Sequence, residues 1–391
     1  MNTPGNRLNS RQPIQEFRRG GIRRGGMMQI LKSMTLEQLQ ELAAQMGHPS
    51  YRSTQLYEWL WQKGVDSFEE MTNLPKALRE ELAKESEPGG LQLLKKQQSS
   101  DGTIKCLFAT GKEGSPPVEA VLIPDFYEDG AANRLTVCVS SQVGCMFGCA
   151  FCATGKMGYF RNLDAWEIAD QVRHINRISL ELYGKRITNV VYMGMGEPLH
   201  NFRAVLDSSE ILTHKLGIGL SPRRITVSTV GLSKQIKQLA DEEAPFFLAI
   251  SLHAANDAKR NQIMPINESL NLDALRESLQ YYHKKLDRAV TYEYLLFDQF
   301  NDSVEDARQL SKIAGWIPSK INIIMYNNVA GVSLKRAREE RLNLFMRELV
   351  RLGVRATVRR SRGDDIDAGC GQLAIREGIK PGKTIRKGIP V

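Results

Sequence analysis

Cysteine is scarce, at six residues in 391, and that scarcity excludes a disulfide-stapled scaffold. No run of about 18 uncharged apolar residues occurs, which argues against a membrane span. The Arg/Gly-rich first 27 residues also lack the apolar stretch a secretory signal needs. Together these absences point to a cytoplasmic chain with no membrane partner, whose thiols are reduced and open to chemistry. With 42% hydrophobic and 25% charged residues the chain can bury a full core, so a disordered or fibrous protein is excluded.

The formal charge of +9 is unevenly spread. Residues 1–27 hold six Arg and one Glu, and residues 351–391 hold ten Lys/Arg against four Asp/Glu, so the ends carry +5 and +6 and the middle about −2. Basic ends favour a polyanionic partner through phosphate contact and counterion release, although a solvated tail has the same composition.

Residues 1–27 lack hydrophobic periodicity and are expected to be disordered. Residues 28–90 read as a small helical accessory domain, a candidate for RNA docking. Thr35 caps a helix in LEQLQELAAQMG, a second runs through STQLYEWLWQKG to Gly64, and a third lies in LPKALREELAKES. Trp59, Leu60 and Trp61 read as packing residues rather than a base-stacking platform. Residues 91–130 form a small β extension, with alternation in LQLLKKQQSS, TIKCLFAT and VEAVLIP. From 131 to 391, strand-like runs (LTVCVSS, ITNVVYMG, RITVSTV, FFLAISLH, VTYEYLLF, KINIIMYN) alternate with segments of helical period. That order predicts an α/β fold, a partial (β/α)6 TIM-like barrel, with its chemistry at the C-terminal ends of the strands.

Three of the six cysteines crowd into Cys145-Met-Phe-Gly-Cys149-Ala-Phe-Cys152, a CxxxCxxC loop leaving the first barrel strand. Thiolates at this spacing can share one soft metal centre. Zinc would need a fourth ligand, and the nearest histidine, His174, lies well inside the next predicted helix. A [4Fe-4S] cubane on three thiolates keeps one iron open, and open coordination implies catalysis. A zinc site and three buried structural thiols are the alternatives.

The loop resembles the signature of the radical S-adenosylmethionine (SAM) superfamily, whose open iron is chelated by the amino and carboxylate groups of SAM. The resemblance implies further contacts. Gly196 and Glu197, in the Gly194-Met195-Gly196-Glu197-Pro198 turn after the second strand, are similar to the turn that holds the SAM amino group. Ser228, Ser251 and His253, at the ends of RITVS and FFLAISLH, resemble ribose and carboxylate contacts. Asn327, ending INIIMYN, resembles an adenosine contact. Alone, each strand-end Ser or Asn would be a turn former.

The ordered set VCVSSQVGC, CATGKMG, GMGEPLHN, STVGL, SLHAANDAKRNQIMPIN and RGDDIDAGCGQLA closely resembles the adenine-C2 RNA methyltransferases of that superfamily, from residue 30 to the C-terminus. Departures are Gly369 where Ala is common and Met325 where Pro is usual. The resemblance implies methylation at C2 of adenine-2503 in 23S rRNA and of adenine-37 in tRNA. C2 is electron-poor and has no usable lone pair, so it cannot take a methyl group from SAM by displacement. In the family a first SAM methylates a cysteine, here Cys370. A second SAM, cleaved at the cluster to a 5′-deoxyadenosyl radical, abstracts hydrogen from that methyl group, and the carbon radical adds to C2. Two SAM are consumed per methylation. Cys138 is implied to resolve the thioether through a transient Cys138–Cys370 disulfide.

Glu119 matches a family carboxylate proposed as proton acceptor; read alone it is a solvent-facing strand residue. Cys106 is assigned to packing. The target base must leave its stack to reach a barrel interior, and Arg355, Arg359, Arg360 and Arg362, just before Cys370, are either phosphate contacts or a solvated strand end. The implied partners are 23S rRNA, tRNA and an electron donor such as a flavodoxin with its reductase, acting on a monomer. Two readings compete: C8 methylation of the same adenine, which uses the same motif skeleton, and a zinc-stabilised RNA-binding protein without catalysis.

Overall fold

The computed structural model describes residues 28–112, 114–360 and 362–373. The Arg/Gly-rich extension and the basic segment from 374 onward lie outside the described residues. The accessory segment forms α1 (Leu36–Gln45), α2 (Tyr51–Glu58) and α3 (Lys76–Glu85). Thr35 and Gln38 build a reciprocal capping box at the start of α1, satisfying amides that would otherwise be orphaned. After α2 a π turn, Trp59–Lys63, ends at Gly64 in the left-handed conformation. Leu60 and Trp61 are buried, and Trp59, half-buried under the Lys63 ammonium, packs against the same core, so the expected packing role holds for all three.

Ten strands form one sheet in strict chain order. The first four, β1 (Gln92–Gln98), β2 (Ile104–Ala109), β3 (Val118–Phe126) and β4 (Ala132–Cys138), are antiparallel. Lys95 and Lys96 lie on the free edge strand β1, where charge discourages further pairing. From β4 onward each strand is parallel to the one before: β5 (Asn189–Tyr192), β6 (Ile225–Thr229), β7 (Phe247–Ser251), β8 (Val290–Leu296), β9 (Ser319–Met325) and β10 (Ala356–Arg359). The connections carry α4 (Ala153–Met157), α5 (Ala165–Tyr183), α6 (Phe202–Thr213), α7 (Ser233–Asp241), α8 (Asp257–Ile263), α9 (Leu272–Leu286), α10 (Val304–Ala314) and α11 (Glu339–Arg351).

This is the predicted partial barrel, with the sheet not closed, and with two additions. The β extension is continuous with the barrel sheet rather than a separate layer. A seventh parallel strand, β10, follows the six expected; it is four residues long, ends in arginine and has two exposed members, so its hydrophobic signal is weak. No described helix is long and apolar enough to cross a membrane.

A buried ionic cluster joins the accessory helices to the barrel. Lys32 Nζ lies 3.1 Å from Asp170 on α5. Arg173, also on α5, pairs with Asp170 and, at 2.7 Å, with Asp66, and donates to the Gly64 carbonyl at 2.6 Å. The Leu91 amide donates to Asp170 Oδ2 at 2.7 Å. Burial opposes the Asp170 charge, yet Lys32 and Arg173 hold its carboxyl well below the usual carboxylate range. Asp170→Ala would leave two buried cations without their shared counter-charge, and is expected to cost about 3–5 kcal/mol. Urea denaturation measures it; a loss under about 1 kcal/mol would show that apolar contacts alone hold the accessory helices on the barrel.

Candidate active site

The strand ends of the barrel open on a cleft of about 890 Å³, in part continuous with solvent. The cysteine loop is built as a closed lobe beside it. A short antiparallel pair, Gln142–Gly144 with Tyr159–Asn162, brackets the loop, and the Cys145 amide donates to the Gly158 carbonyl at 3.0 Å. Gly144 has φ +73°, and a Cβ there would overlap that carbonyl, so only glycine fits. Cys145, Cys149 and Cys152 all line the cleft. Burial raises all three thiols, and each is coupled to a neighbouring cysteine. Among the described residues no three Cys, His, Asp or Glu side chains converge on a single-ion site. The donor set nevertheless fits an iron-sulfur cluster. Three thiols that are poor anions on their own face one cavity, and bound iron would supply the positive charge that makes them thiolates.

The turn after β5 packs backbone against this lobe. A Cβ at Gly194 would lie 2.6 Å from the Val139 carbonyl, and one at Gly196, where φ is +98°, 2.5 Å from Gln142 Cβ. The Glu197 amide donates to Gln142 Oε1 at 2.8 Å, while its carboxylate accepts from the Leu199 and Val230 amides at 3.0 and 2.9 Å. Burial raises the Glu197 carboxyl to about 7 against the pull of those amides. Ser228 on β6 and Ser251 on β7 also face the cleft, their hydroxyls 3.1 Å apart. His253 lines it with φ +57°, its ring edge-on to Phe151 with centroids 4.8 Å apart. Burial, reinforced by Arg260, lowers its imidazole to about 3. Because Nδ1 accepts from the Leu295 amide at 3.1 Å, the ring is neutral and keeps its proton on Nε2.

Besides Cys138, two expected site residues do not line the cleft. Asn327 lies beneath the Cys370 segment, with Nδ2 3.5 Å from Gln372 Oε1. A Cβ at Gly369 would overlap that Asn327 nitrogen, so the departure from Ala noted in the sequence leaves room for Asn327. Glu119 on β3 is buried, not the solvent-facing residue its strand pattern allowed. It pairs with Lys105 at 3.3 Å, and Lys105 in turn donates to the Asp367 carbonyl at 3.3 Å.

Cys138, ending β4, and Cys370 share a second cavity of about 530 Å³. Burial pushes the Cys138 thiol up to about 12; Cys370 adds to the rise and Arg359 opposes it. Arg359, Arg360 and Arg362 line this cavity, whereas Arg355 does not. Cys370 lines both cavities and so stands at their junction. Cys106 is fully buried, as a packing residue should be.

Comparison with known proteins is decisive. Residues 30–87 match the ribosomal RNA large subunit methyltransferase N-terminal domain family, and residues 139–310 match the Radical SAM superfamily. The chain is 50% identical over 348 residues to "Probable dual-specificity RNA methyltransferase RlmN" of Salinibacter ruber, covering 88% of this chain and 93% of that protein. It is 44% identical to "Dual-specificity RNA methyltransferase RlmN" of Campylobacter hominis, covering 88% and 97%. The chain belongs to the RlmN family. The crystal structure of a radical SAM methyltransferase from Sphaerobacter thermophilus superposes with a TM-score of 0.82 at 41% identity, covering 88% of this chain and 99% of that one.

For an RlmN-family chain, one cleft residue escaped the sequence reading. Glu293, on β8, faces the cleft and is nearly fully buried. Asn322 donates to its Oε1 at 2.8 Å, and Oε2 has no hydrogen-bond partner among the described residues. The available signal was a lone acid within VTYEYLL, a strand buried at every position.

His253 gives a pH test of the site. Its pKa is lower folded than unfolded, so the stability it contributes is complete above about 6.5 and falls as pH drops below that value, by up to about 1.4 kcal/mol per pH unit. Urea midpoints for wild type and His253→Gln between pH 7 and 5 are expected to converge as pH falls. Parallel curves would mean that His253 takes up its proton alike in the folded and unfolded protein.

Proposed function

We propose that this RlmN-family methyltransferase modifies C2 of adenine-2503 in 23S rRNA and of adenine-37 in tRNA, with Cys370 as methyl carrier and Cys138 as the resolving thiol. The observation that carries the reading is that one half-buried thiol, Cys370, borders both the three-cysteine cleft and the cavity holding Cys138. Cys145, Cys149 and Cys152 would hold one [4Fe-4S] cluster. Gly196, Glu197, Ser228, Ser251 and His253 would hold SAM, with Asn327 completing the set by family resemblance. Bound together, cluster and SAM supply the methyl group and a radical able to remove hydrogen from a methyl carbon.

The chain's own groups then have distinct tasks. The Cys370 sulfur takes the methyl group by displacement and presents its carbon at the junction of the cavities. Once that carbon is bonded to C2, loss of the C2 proton and return of one electron to the reducing system leave the base tethered to Cys370 as a thioether. Cys138 attacks the Cys370 sulfur, and the S–S bond forms as the S–C bond breaks. The carbon keeps the bonding pair and takes up a proton to become the product methyl group. Arg359, beside both thiols, favours the Cys138 thiolate needed for this attack. Glu119, ion-paired with Lys105, is the candidate acceptor for the proton lost from C2. Arg359, Arg360 and Arg362 offer charge to the phosphates of an extruded nucleotide. A one-electron donor such as a flavodoxin with its reductase completes the system, with the enzyme acting as a cytoplasmic monomer.

Mass spectrometry of rRNA and tRNA treated with the anaerobically reconstituted protein is expected to find 2-methyladenosine. Finding 8-methyladenosine would move the reaction to C8, and colourless protein retaining zinc would favour an RNA-binding role. Cys370→Ala should give neither methylation nor a protein–RNA adduct, whereas Cys138→Ala should accumulate the adduct. Normal turnover in either variant removes that residue from the mechanism.

A further inference from the structure

The segment that carries Cys370 has almost no regular structure of its own. Between Gly363 and Leu373 the described chain forms one 3-10 turn, Asp364–Ile366, and no strand. Its internal bonds, such as the Ala368 amide to the Gly363 carbonyl at 2.8 Å and the Gln372 amide to the Gly369 carbonyl at 3.0 Å, close the segment on itself without tying it to the sheet. Yet a displacement of about 1 Å at a reacting group costs about a hundredfold in rate.

The missing restraint comes from a distant part of the sequence. The tight turn between β1 and β2 closes on itself through the Ser99 amide to Thr103 carbonyl bond at 2.8 Å and the Thr103 amide to Asp101 Oδ1 bond at 2.9 Å. It then reaches across to the Cys370 segment. Asp101 Oδ2 accepts from the Gly363 amide at 2.8 Å. Asp365 accepts from the Ser99 hydroxyl at 2.5 Å and the Ser100 amide at 3.1 Å. Lys105, on β2, donates to the Asp367 carbonyl at 3.3 Å. The two surfaces meet so closely that a Cβ at Gly363, where φ is +68°, would lie 2.8 Å from Thr103 Cγ2 and 2.7 Å from Ala368 Cβ. Beyond Cys370 the segment is pinned again, by the Ala153 amide to the Gly371 carbonyl at 2.7 Å and the Thr154 hydroxyl to the Leu373 carbonyl at 2.5 Å.

We propose that the β1–β2 turn is a seat for the methyl-carrier segment, and that Asp101, Asp365 and Lys105 are positioning residues for Cys370. One end of the segment rests on the seat and the other on the start of α4, directly after Cys152. The sulfur is thereby suspended between two fixed points, at the junction of the two cavities. The inference rests on reading Cys370 as the methyl carrier.

Asp365 is exposed, so Asp365→Ala removes two seat bonds without opening the core. In the reconstituted holoenzyme kcat is expected to fall about tenfold while KM for SAM and for RNA each stay within about twofold. Iron content and thermal midpoint should be unchanged. Hydrogen exchange at the amides of residues 363–371 should accelerate. Asp365→Asn, which keeps one acceptor oxygen, should recover part of kcat, and Gly363→Ala should lower it at least as far as Asp365→Ala. Wild-type kcat in Asp365→Ala, or a lower kcat with unchanged exchange in the segment, overturns the proposal. The two ideas fail separately. If Cys370→Ala still turns over, the carrier reading is wrong; if Cys370→Ala is inactive and Asp365→Ala is unimpaired, only the seat is wrong.

Discussion

Backbone resting directly on backbone, where β4 and β5 end, sets the dimensions of the cleft. The Met195 amide donates to the Ser140 hydroxyl at 2.9 Å, the Ser141 amide to the Met195 carbonyl at 2.9 Å, and the Gly194 amide to the Val139 carbonyl at 3.0 Å. No Cβ fits at Gly194 or Gly196. Glu197 therefore cannot move relative to the lobe that carries Cys145, Cys149 and Cys152 without breaking several bonds at once. Four of the candidate site residues are thus fixed relative to one another by packing and hydrogen bonds alone. This is the usual way to build a precise site, with rigid supporting elements beneath a few functional groups.

The same closeness buries the groups that line the cleft, and burial dictates their charge states. Burial raises Glu197, Glu293 and the thiols of Cys145, Cys149 and Cys152 and lowers His253. All of these shifts favour the neutral form, as expected for groups taken out of water without full compensation. A cavity that discharges its own residues is poised for a ligand that brings charge, because each interaction then acts at low dielectric. The second cavity has the opposite character, since Arg359, Arg360 and Arg362 remain cationic there. Cys370 separates a region awaiting charge from one already positive.

How much of this was legible depended on distance along the chain. The CxxxCxxC loop, the Gly-rich turn after β5 and the Thr35 cap are local patterns whose residues lie within a few positions of one another, and the structure places each at the strand or helix end where the sequence put it. The six expected strands announced themselves by apolar runs, whereas β10 has only Ala356 and Val358 between polar neighbours and was missed. Glu119 looked solvent-facing because alternation along β3 says which residues share a face but not what covers that face. Its partner Lys105 lies on the adjoining strand, and no periodicity links the two. Asn327 was matched by resemblance to a ligand contact, and its packing against Gln372 in the Cys370 segment had no counterpart in the sequence pattern. A motif fixes residue identity more firmly than side-chain direction.

The antiparallel strands that precede the barrel gain a purpose from this arrangement. Their Ile104, Phe108 and Leu122 are fully buried in the core they share with the barrel. Its own parallel strands bury Val227, Ile250, Tyr292 and Ile323 completely. What the barrel lacks is a support for chain that leaves its last strand, because β10 is a short edge and the segment after it must turn back over the strand ends. β1, β2 and β3 extend the sheet on the side away from β10, so the returning segment meets a rigid turn instead of solvent. Ordering that segment costs about 1–2 kcal/mol of conformational entropy per residue, more than its one 3-10 turn can offset. Hydrogen bonds to Asp101, Asp365 and Lys105 at one end, and to α4 at the other, divide that cost between two elements held in place by the rest of the fold. A thiol that borders two cavities is better served by such end-pinning than by a strand, which would fix it toward one face only.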